Sequence, residues 1–157
     1  TWPLVHRVRA IRPNGDRQWL TSDQFSIGYR SVTAPFELAF LGCELACLPE
    51  RPEILGANIK DLLAHRSATQ PVGQRSCGSV FRNPPNDYAG RLIEAAGFKG
   101  ERCGAAVVSE KHANFIVNEG GVTALQLETL IERIQGGVFE RYSVQLVREV
   151  QIVGRHD

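Results

Sequence analysis

Residues 67–76, Ser-Ala-Thr-Gln-Pro-Val-Gly-Gln-Arg-Ser, constrain this chain more than any other stretch. They are polar, they carry Pro71 and Gly73, and the hydrophobic pattern changes across them. We read them as a linker and a candidate boundary between two units. A length of 157 residues allows one domain or two small ones. An apolar fraction of 43% against 22% charged is enough to build a core.

Upstream of that boundary, 4–12 alternates loosely as a strand and ends at Pro13-Asn14-Gly15-Asp16. Asn-Gly between apolar runs is the strongest short-range hairpin signal, which makes 17–20 the return strand. The apolar stretch 36–48, interrupted by Glu37 and Glu44 and bracketed by Pro35 and Pro49, predicts one or two sheet strands. Pro52 suits the first position of a helix, and Ile54, Leu55, Ile59, Leu62 and Leu63 recur at helical spacing over 52–66.

Downstream, 78–81 reads as a short strand stopped by Asn83-Pro84-Pro85. Asn86 or Asp87 is expected to cap a helix carrying Tyr88, Leu92, Ile93 and Ala96, with Gly97 just past its end. Two strands follow, 103–108 and 114–117. Thr123 and Gln126 form a capping box, and Leu127, Leu130, Ile131, Ile134 and Val138 line one face of the next helix. Gly136-Gly137 inside it, at about 1 kcal/mol per glycine, predicts a frayed last turn. Alternation over 144–153 predicts a closing strand. The unit is then an α+β sandwich with its helices on one face of a sheet.

Charge and cysteine content exclude several classes. Eighteen basic against seventeen acidic residues leave a net charge of +1, with no block of five like charges, so a nucleic acid held by counterion release is not expected. No apolar run approaches the roughly 20 residues that span a bilayer, and no basic, hydrophobic leader opens the chain. The chain begins at Thr1 and has no Met, so it is expected to be processed or part of something longer. Cys43 and Cys47 form a close pair, but Cys77 and Cys103 stand apart, which is not zinc spacing. Four reduced thiols in a cytoplasmic protein are expected.

Single residues carry weak signals. Ser79 follows Gly78 without a Gly-x-Ser-x-Gly elbow, and its ordinary reading is a turn serine bonded to backbone. Cys77 with His112 as base would make a cysteine hydrolase, although free cysteines are usually buried and inert. Asn83 lies in the proline turn. Glu149, in an apolar strand on the opposite face from Val150, needs a partner and is ordinarily an edge acid beside an arginine. Arg30, after Gly28-Tyr29, reads equally as a surface arginine.

In combination they say more. Gly28-Tyr29-Arg30, Ser-Cys-Gly-Ser-Val-Phe-Arg-Asn-Pro-Pro over 76–85, Ala-Gly-x-Leu-Ile-Glu over 89–94 and Ala-Gly-x-Lys-Gly over 96–100 occur in one order. Val-Ser-x-Lys-His-Ala-Asn-Phe-Ile-Val-Asn over 108–118 and Arg-Glu-Val-x-Ile-Val-Gly over 148–154 complete the series. It resembles the UDP-N-acetylenolpyruvoylglucosamine reductases, also called UDP-N-acetylmuramate dehydrogenases, in their shorter form and over their C-terminal part.

The resemblance implies a cytoplasmic flavoprotein of peptidoglycan precursor synthesis, in which NADPH reduces a bound FAD. The flavin then passes hydride to the methylene carbon of UDP-N-acetylglucosamine enolpyruvate. It implies that Ser79 protonates the neighbouring carbon, that Arg30 and Glu149 stabilise the enolate charge, and that Asn83 and His112 hold the sugar nucleotide. It implies the end of a flavin-binding domain over 1–67, a substrate-binding domain over 68–149, a tail over 150–157, and a monomer at full length. The family's N-terminal flavin-holding half has no counterpart here, so the chain alone is expected to be inactive. Thr69 stands where a lysine for the substrate diphosphate is usual, with Arg66, Arg75 and Lys111 as candidate replacements. Cys103-Gly104 stands in place of a glycine pair. A reading of a different class is a non-catalytic module that binds a uridine sugar nucleotide.

Overall fold

The structure, a computed structural model, describes residues 1–154. The chain divides into two compact units, Thr1–Leu55 and the residues from Gly56 onward.

In the first unit, β1 (Val5–Ile11) and β2 (Arg17–Thr21) form the hairpin that Asn14-Gly15 predicts, with Val8 opposite Leu20 and Ile11 opposite Arg17. The connection closes because Gly15 adopts φ +91° and donates to the Arg12 carbonyl, while the Asn14 amide reaches the Asp16 carboxylate at 2.7 Å. The apolar stretch after Pro35 supplies one strand of this sheet, β5 (Ala39–Leu45), on the other edge of β1. Between them β3 (Ser26–Gly28) and β4 (Ser31–Thr33) make a second, two-stranded hairpin. Val8 and Ala10, two apart on β1, are buried with Leu20 and Phe25, and Trp2 packs on Phe25 at 5.1 Å.

Helix α1 (Pro52–Thr69) begins where Pro52 predicts but runs three residues past the expected end, through the start of the supposed linker. None of its residues is buried: Leu55, Ile59, Leu62 and Leu63 form an apolar stripe that no described residue covers.

The second unit is mixed helix and sheet. Strands β6 (Arg102–Cys103), β7 (Ala106–Val108) and β8 (Ile116–Asn118) form an antiparallel sheet in that order. Helices α2 (Ala89–Ala95) and α3 (Ala124–Tyr142) build its core, with Leu92, Ile93, Leu130, Ile134 and Val138 buried beside Ala106, Val108 and Ile116. The Thr123–Gln126 capping box opens α3, with both reciprocal bonds at 3.2 Å. Gly97, at φ +88°, ends α2: it donates to the Glu94 carbonyl and Phe98 donates to the Ile93 carbonyl, the paired bonds of a Schellman stop.

Four expectations are corrected here. The N-cap of α2 is Tyr88, not Asn86 or Asp87, and its side chain makes no cap bond. Asn83 takes over that task from the preceding turn, its Oδ1 accepting from the Ala89 amide at 3.0 Å. The strands expected over 78–81 and 144–153 reduce to one bridge between Phe81 and Arg148, because Pro84 and Pro85 leave the first segment too short to extend a ladder. The last turn of α3 is not frayed: the helix passes both glycines and buries Val138. Gly137 has a packing reason, since a Cβ there would lie 2.5 Å from the Phe98 ring, whereas Gly136 meets nothing within 4 Å.

The two adjacent glycines should therefore respond with opposite signs. Gly137→Ala should lower the unfolding free energy by about 1–3 kcal/mol through overpacking. Gly136→Ala should raise it by about 0.5–1 kcal/mol through helix propensity. Urea midpoints of the two variants check both.

Candidate active site

Ser79, Asn83 and His112 line one cavity of about 450 Å³, together with Tyr88, Gly90, Arg91, Glu94, Lys111 and Asn114. Three local structures bring them there. The segment after Gly78, at φ +83°, delivers Ser79 half-buried, and among the described residues its hydroxyl has no hydrogen-bond partner. This differs from the backbone-bonded turn serine of the ordinary reading. Asn83 is fixed at the N-terminus of α2 by its bond to Ala89.

The loop between β7 and β8 supplies Lys111 and His112. Its closure is local: the buried Ser109 hydroxyl accepts from the amides of Lys111 and His112 at 3.2 and 3.3 Å, and Phe115 donates to the His112 carbonyl. His112 Nδ1 accepts the Asn114 amide proton at 3.2 Å, so the neutral ring carries its own proton on Nε2. Burial pushes the His112 pKa down, and the Lys99 ammonium adds to the effect. Gly90 makes room for the ring, since a Cβ there would stand 3.0 Å from His112 Cε1.

The charged groups around the cavity differ in how far they are engaged. Arg91 holds Asp87 through two bonds, and with the Tyr88 amide it keeps that carboxyl down at about 2. Glu94 pairs with Lys99 at 2.7 Å. Lys111 donates at 3.0 Å to the Ser67 carbonyl and has no carboxylate partner among the described residues. Thr69 cannot stand in for an ammonium, and its hydroxyl is turned back onto the His65 carbonyl of its own helix.

Glu149 is half-buried, and its amide donates to the Val80 carbonyl at 2.8 Å, which sets it beside the residue that follows Ser79. Arg148 turns to α3 instead, bonded to Gln135 and Glu132. Arg30 lies in the first unit, exposed, in the two-residue turn between β3 and β4, with φ +55°. A left-handed arginine is strained, a state that persists only where surrounding structure imposes it.

The cysteine hydrolase does not survive. Cys77 lines a separate apolar cavity of about 290 Å³ with Val80, Ile116 and Leu127, and partial desolvation of its sulfur pushes the thiol up, away from a thiolate. All four cysteines are free thiols in the structure. No group of three metal-ligating side chains occurs among the described residues, and no helix is long and apolar enough to cross a membrane.

Sequence reading missed Gly90 as the residue that clears space for the imidazole. It also gave Asn114 no role, although that residue is 4% exposed and bonds to the serine segment. A polar residue inside the apolar run 113–117 is the signal that would have found it, because a buried amide must be paired.

A serine, a histidine and an asparagine of the second unit thus line one cavity. Comparison with known proteins gives the family of the chain. Residues 70–153 match the family described as UDP-N-acetylenolpyruvoylglucosamine reductase, C-terminal domain, and the chain belongs to that family. UDP-N-acetylenolpyruvoylglucosamine reductase of Alkalilimnicola ehrlichii is 49% identical over 98% of this chain and 52% of its own length. That of Methylococcus capsulatus is 50% identical over 98% of this chain and 51% of its own. The crystal structure of UDP-N-acetylenolpyruvylglucosamine reductase from Thermus caldophilus superposes with a TM-score of 0.79 at 30% identity, over 96% of this chain and 53% of the other. The chain thus spans about half the length of the curated relatives it matches.

The lowered pKa gives a testable sign. His112 is neutral in the fold down to a lower pH than in the unfolded chain, so its contribution to stability is present above the ordinary histidine value and is lost as pH falls through that value toward the folded one. The imidazole resonance of His112 should titrate below about 6.5. A His112→Gln variant should lose less stability than the parent between about pH 7 and 5. Titration by NMR and urea midpoints across that range decide it.

Proposed function

We propose that this chain supplies the substrate-binding and proton-donating part of a reductase that converts UDP-N-acetylglucosamine enolpyruvate to UDP-N-acetylmuramate with NADPH and FAD. The convergence of Ser79, Asn83 and His112 on one cavity, with Glu149 bonded beside Val80, carries the reading. When bound, the flavin supplies the hydride, and no residue of this chain is assigned to holding it.

The chain's own residues do the rest. Lys111, the ammonium in the cavity without a carboxylate partner among the described residues, takes the substrate diphosphate in place of the lysine that Thr69 displaces. His112 Nε2–H and the Asn83 amide orient the sugar nucleotide. Hydride addition at the methylene carbon leaves negative charge on the carboxylate side of the neighbouring carbon, and Ser79 donates the proton there. Arg30 and Glu149 stabilise that developing charge. The enzyme works as a cytoplasmic monomer in peptidoglycan precursor synthesis. The apolar stripe of α1 and the exposed Phe40, Leu41 and Leu45 of β5 favour further protein packing on this chain in the complete enzyme.

Intact mass and flavin absorbance of the native protein from its source test this first. A polypeptide of about twice this length with stoichiometric flavin supports the reductase. A native 17.4 kDa chain without flavin refutes it and leaves the nucleotide-binding module. In the native enzyme Ser79→Ala should lower kcat by at least about 100-fold with UDP affinity unchanged. Lys111→Ala should instead raise KM about tenfold, equivalent to roughly 1.4 kcal/mol of lost binding, at nearly constant kcat.

A further inference from the structure

We propose that Asn114 is a positioning residue for this site: its buried carboxamide fixes the backbone that carries Ser79, and its own backbone amide sets the tautomer of His112. The inference rests on the reductase reading of the cavity. Four hydrogen bonds meet at this residue. Its Oδ1 accepts from the Phe81 amide at 2.9 Å and its Nδ2 donates to the Phe81 carbonyl at 2.8 Å. Its own carbonyl accepts from the Val80 amide at 2.9 Å, and its amide donates to His112 Nδ1 at 3.2 Å.

The pattern is that of a one-residue strand neighbour. A side chain that offers one donor and one acceptor in a plane pairs with both polar groups of Phe81, as a facing peptide would. Ser79 is two residues from that pair and one from Val80, and Phe81 itself is 1% exposed. The Ser79 Cβ is therefore carried on a short piece of backbone whose next two residues are buried and bonded at every polar group. The same residue selects the tautomer of His112, so the binding end and the proton-donating end of the cavity share one anchor. No carboxylate, ester or apolar isostere supplies both halves: Asp loses the donor, Leu loses both.

The test uses the native, flavin-loaded protein and compares N114D with wild type in two half-reactions, flavin reduction by NADPH and flavin reoxidation by the enolpyruvyl sugar nucleotide. The introduced carboxylate keeps the bond from the Phe81 amide but faces the Phe81 carbonyl with a second acceptor. Reoxidation should fall on the order of 10–100-fold at pH 8 with flavin reduction unchanged. As pH falls and the introduced carboxyl takes up a proton, its O–H restores the donor, and the variant should recover toward the wild-type rate. Glu94, Lys111 and His112 around the cavity and Glu149 beside Val80 are common to both proteins, so the ratio of variant to wild type isolates the introduced group. A folded variant that stays within twofold of wild type at every pH, or slows in both half-reactions alike, overturns the proposal.

A second measurement needs no variant. In wild-type protein the ring nitrogens of His112 should report the Nε2-protonated tautomer, and the Asn114 side-chain amide protons should exchange slowly. A ring protonated on Nδ1, or a fast-exchanging Asn114 carboxamide, overturns the proposal even where N114D does not fold. Wild type that binds flavin but does not reduce the sugar nucleotide defeats the reductase reading, and these NMR readouts still decide the role of Asn114.

Discussion

Val80 and Phe81 are each 1% exposed, so none of their four backbone polar groups can turn to water. Leaving one unpaired would cost about 1–3 kcal/mol. The second unit is arranged around that requirement. Asn114 takes three of the groups, and the Glu149 amide takes the Val80 carbonyl, with Val150 at 3.4 Å as a longer second donor. The flanking residues are handled the same way, since the Arg82 amide goes to the Val147 carbonyl. A continuous strand would have met the demand with a regular ladder. The Asn83-Pro84-Pro85 turn forbids one, so the pairing is assembled from the side chain and carbonyl of Asn114 and from residues 147–150.

That assembly explains what was legible in the sequence and what was not. Local chemistry read correctly where a few adjacent residues decide the outcome: Asn14-Gly15 as a hairpin, Thr123 with Gln126 as a cap, Gly97 as a helix stop. The closing strand over 144–153 failed because alternation reports which side chains are buried, not whether a partner strand exists. Leu146 is buried as the pattern says, yet its carbonyl is taken by the Gln135 side chain of α3. The α2 cap failed because Asn83 reaches it from six residues away, beyond the spacing a capping rule inspects.

Helix α1 shows a different limit. Its apolar spacing predicted a helix and the helix is there, but the stripe is not buried by anything described. Periodicity specifies the element but not what packs against it. The site behaved similarly. No single residue identified it, and the residues that meet at the cavity come from three segments, the stretch after Gly78, helix α2 with the turn before it, and the loop between β7 and β8. Ordered motifs along the chain recovered them because those motifs mark the segments, not the contacts.

A serine hydroxyl is a very weak acid at neutral pH, so a site that asks it to give up a proton cannot rely on pKa matching. What remains is placement against a strongly basic carbon, and placement is where a rate is most easily lost. This gives a physical reason for following Ser79 with a backbone whose bonds are saturated at Val80 and Phe81, rather than pairing it with a general base. A base within reach would raise the reactivity of the oxygen as a nucleophile, the chemistry of a hydrolase. His112, by contrast, spends Nδ1 on the Asn114 amide, and burial disfavours its charged form, so the neutral ring faces the cavity as a donor and not as a proton acceptor. On the proposed reading, the arrangement that makes the serine a poor nucleophile is the one that lets it serve as a proton donor.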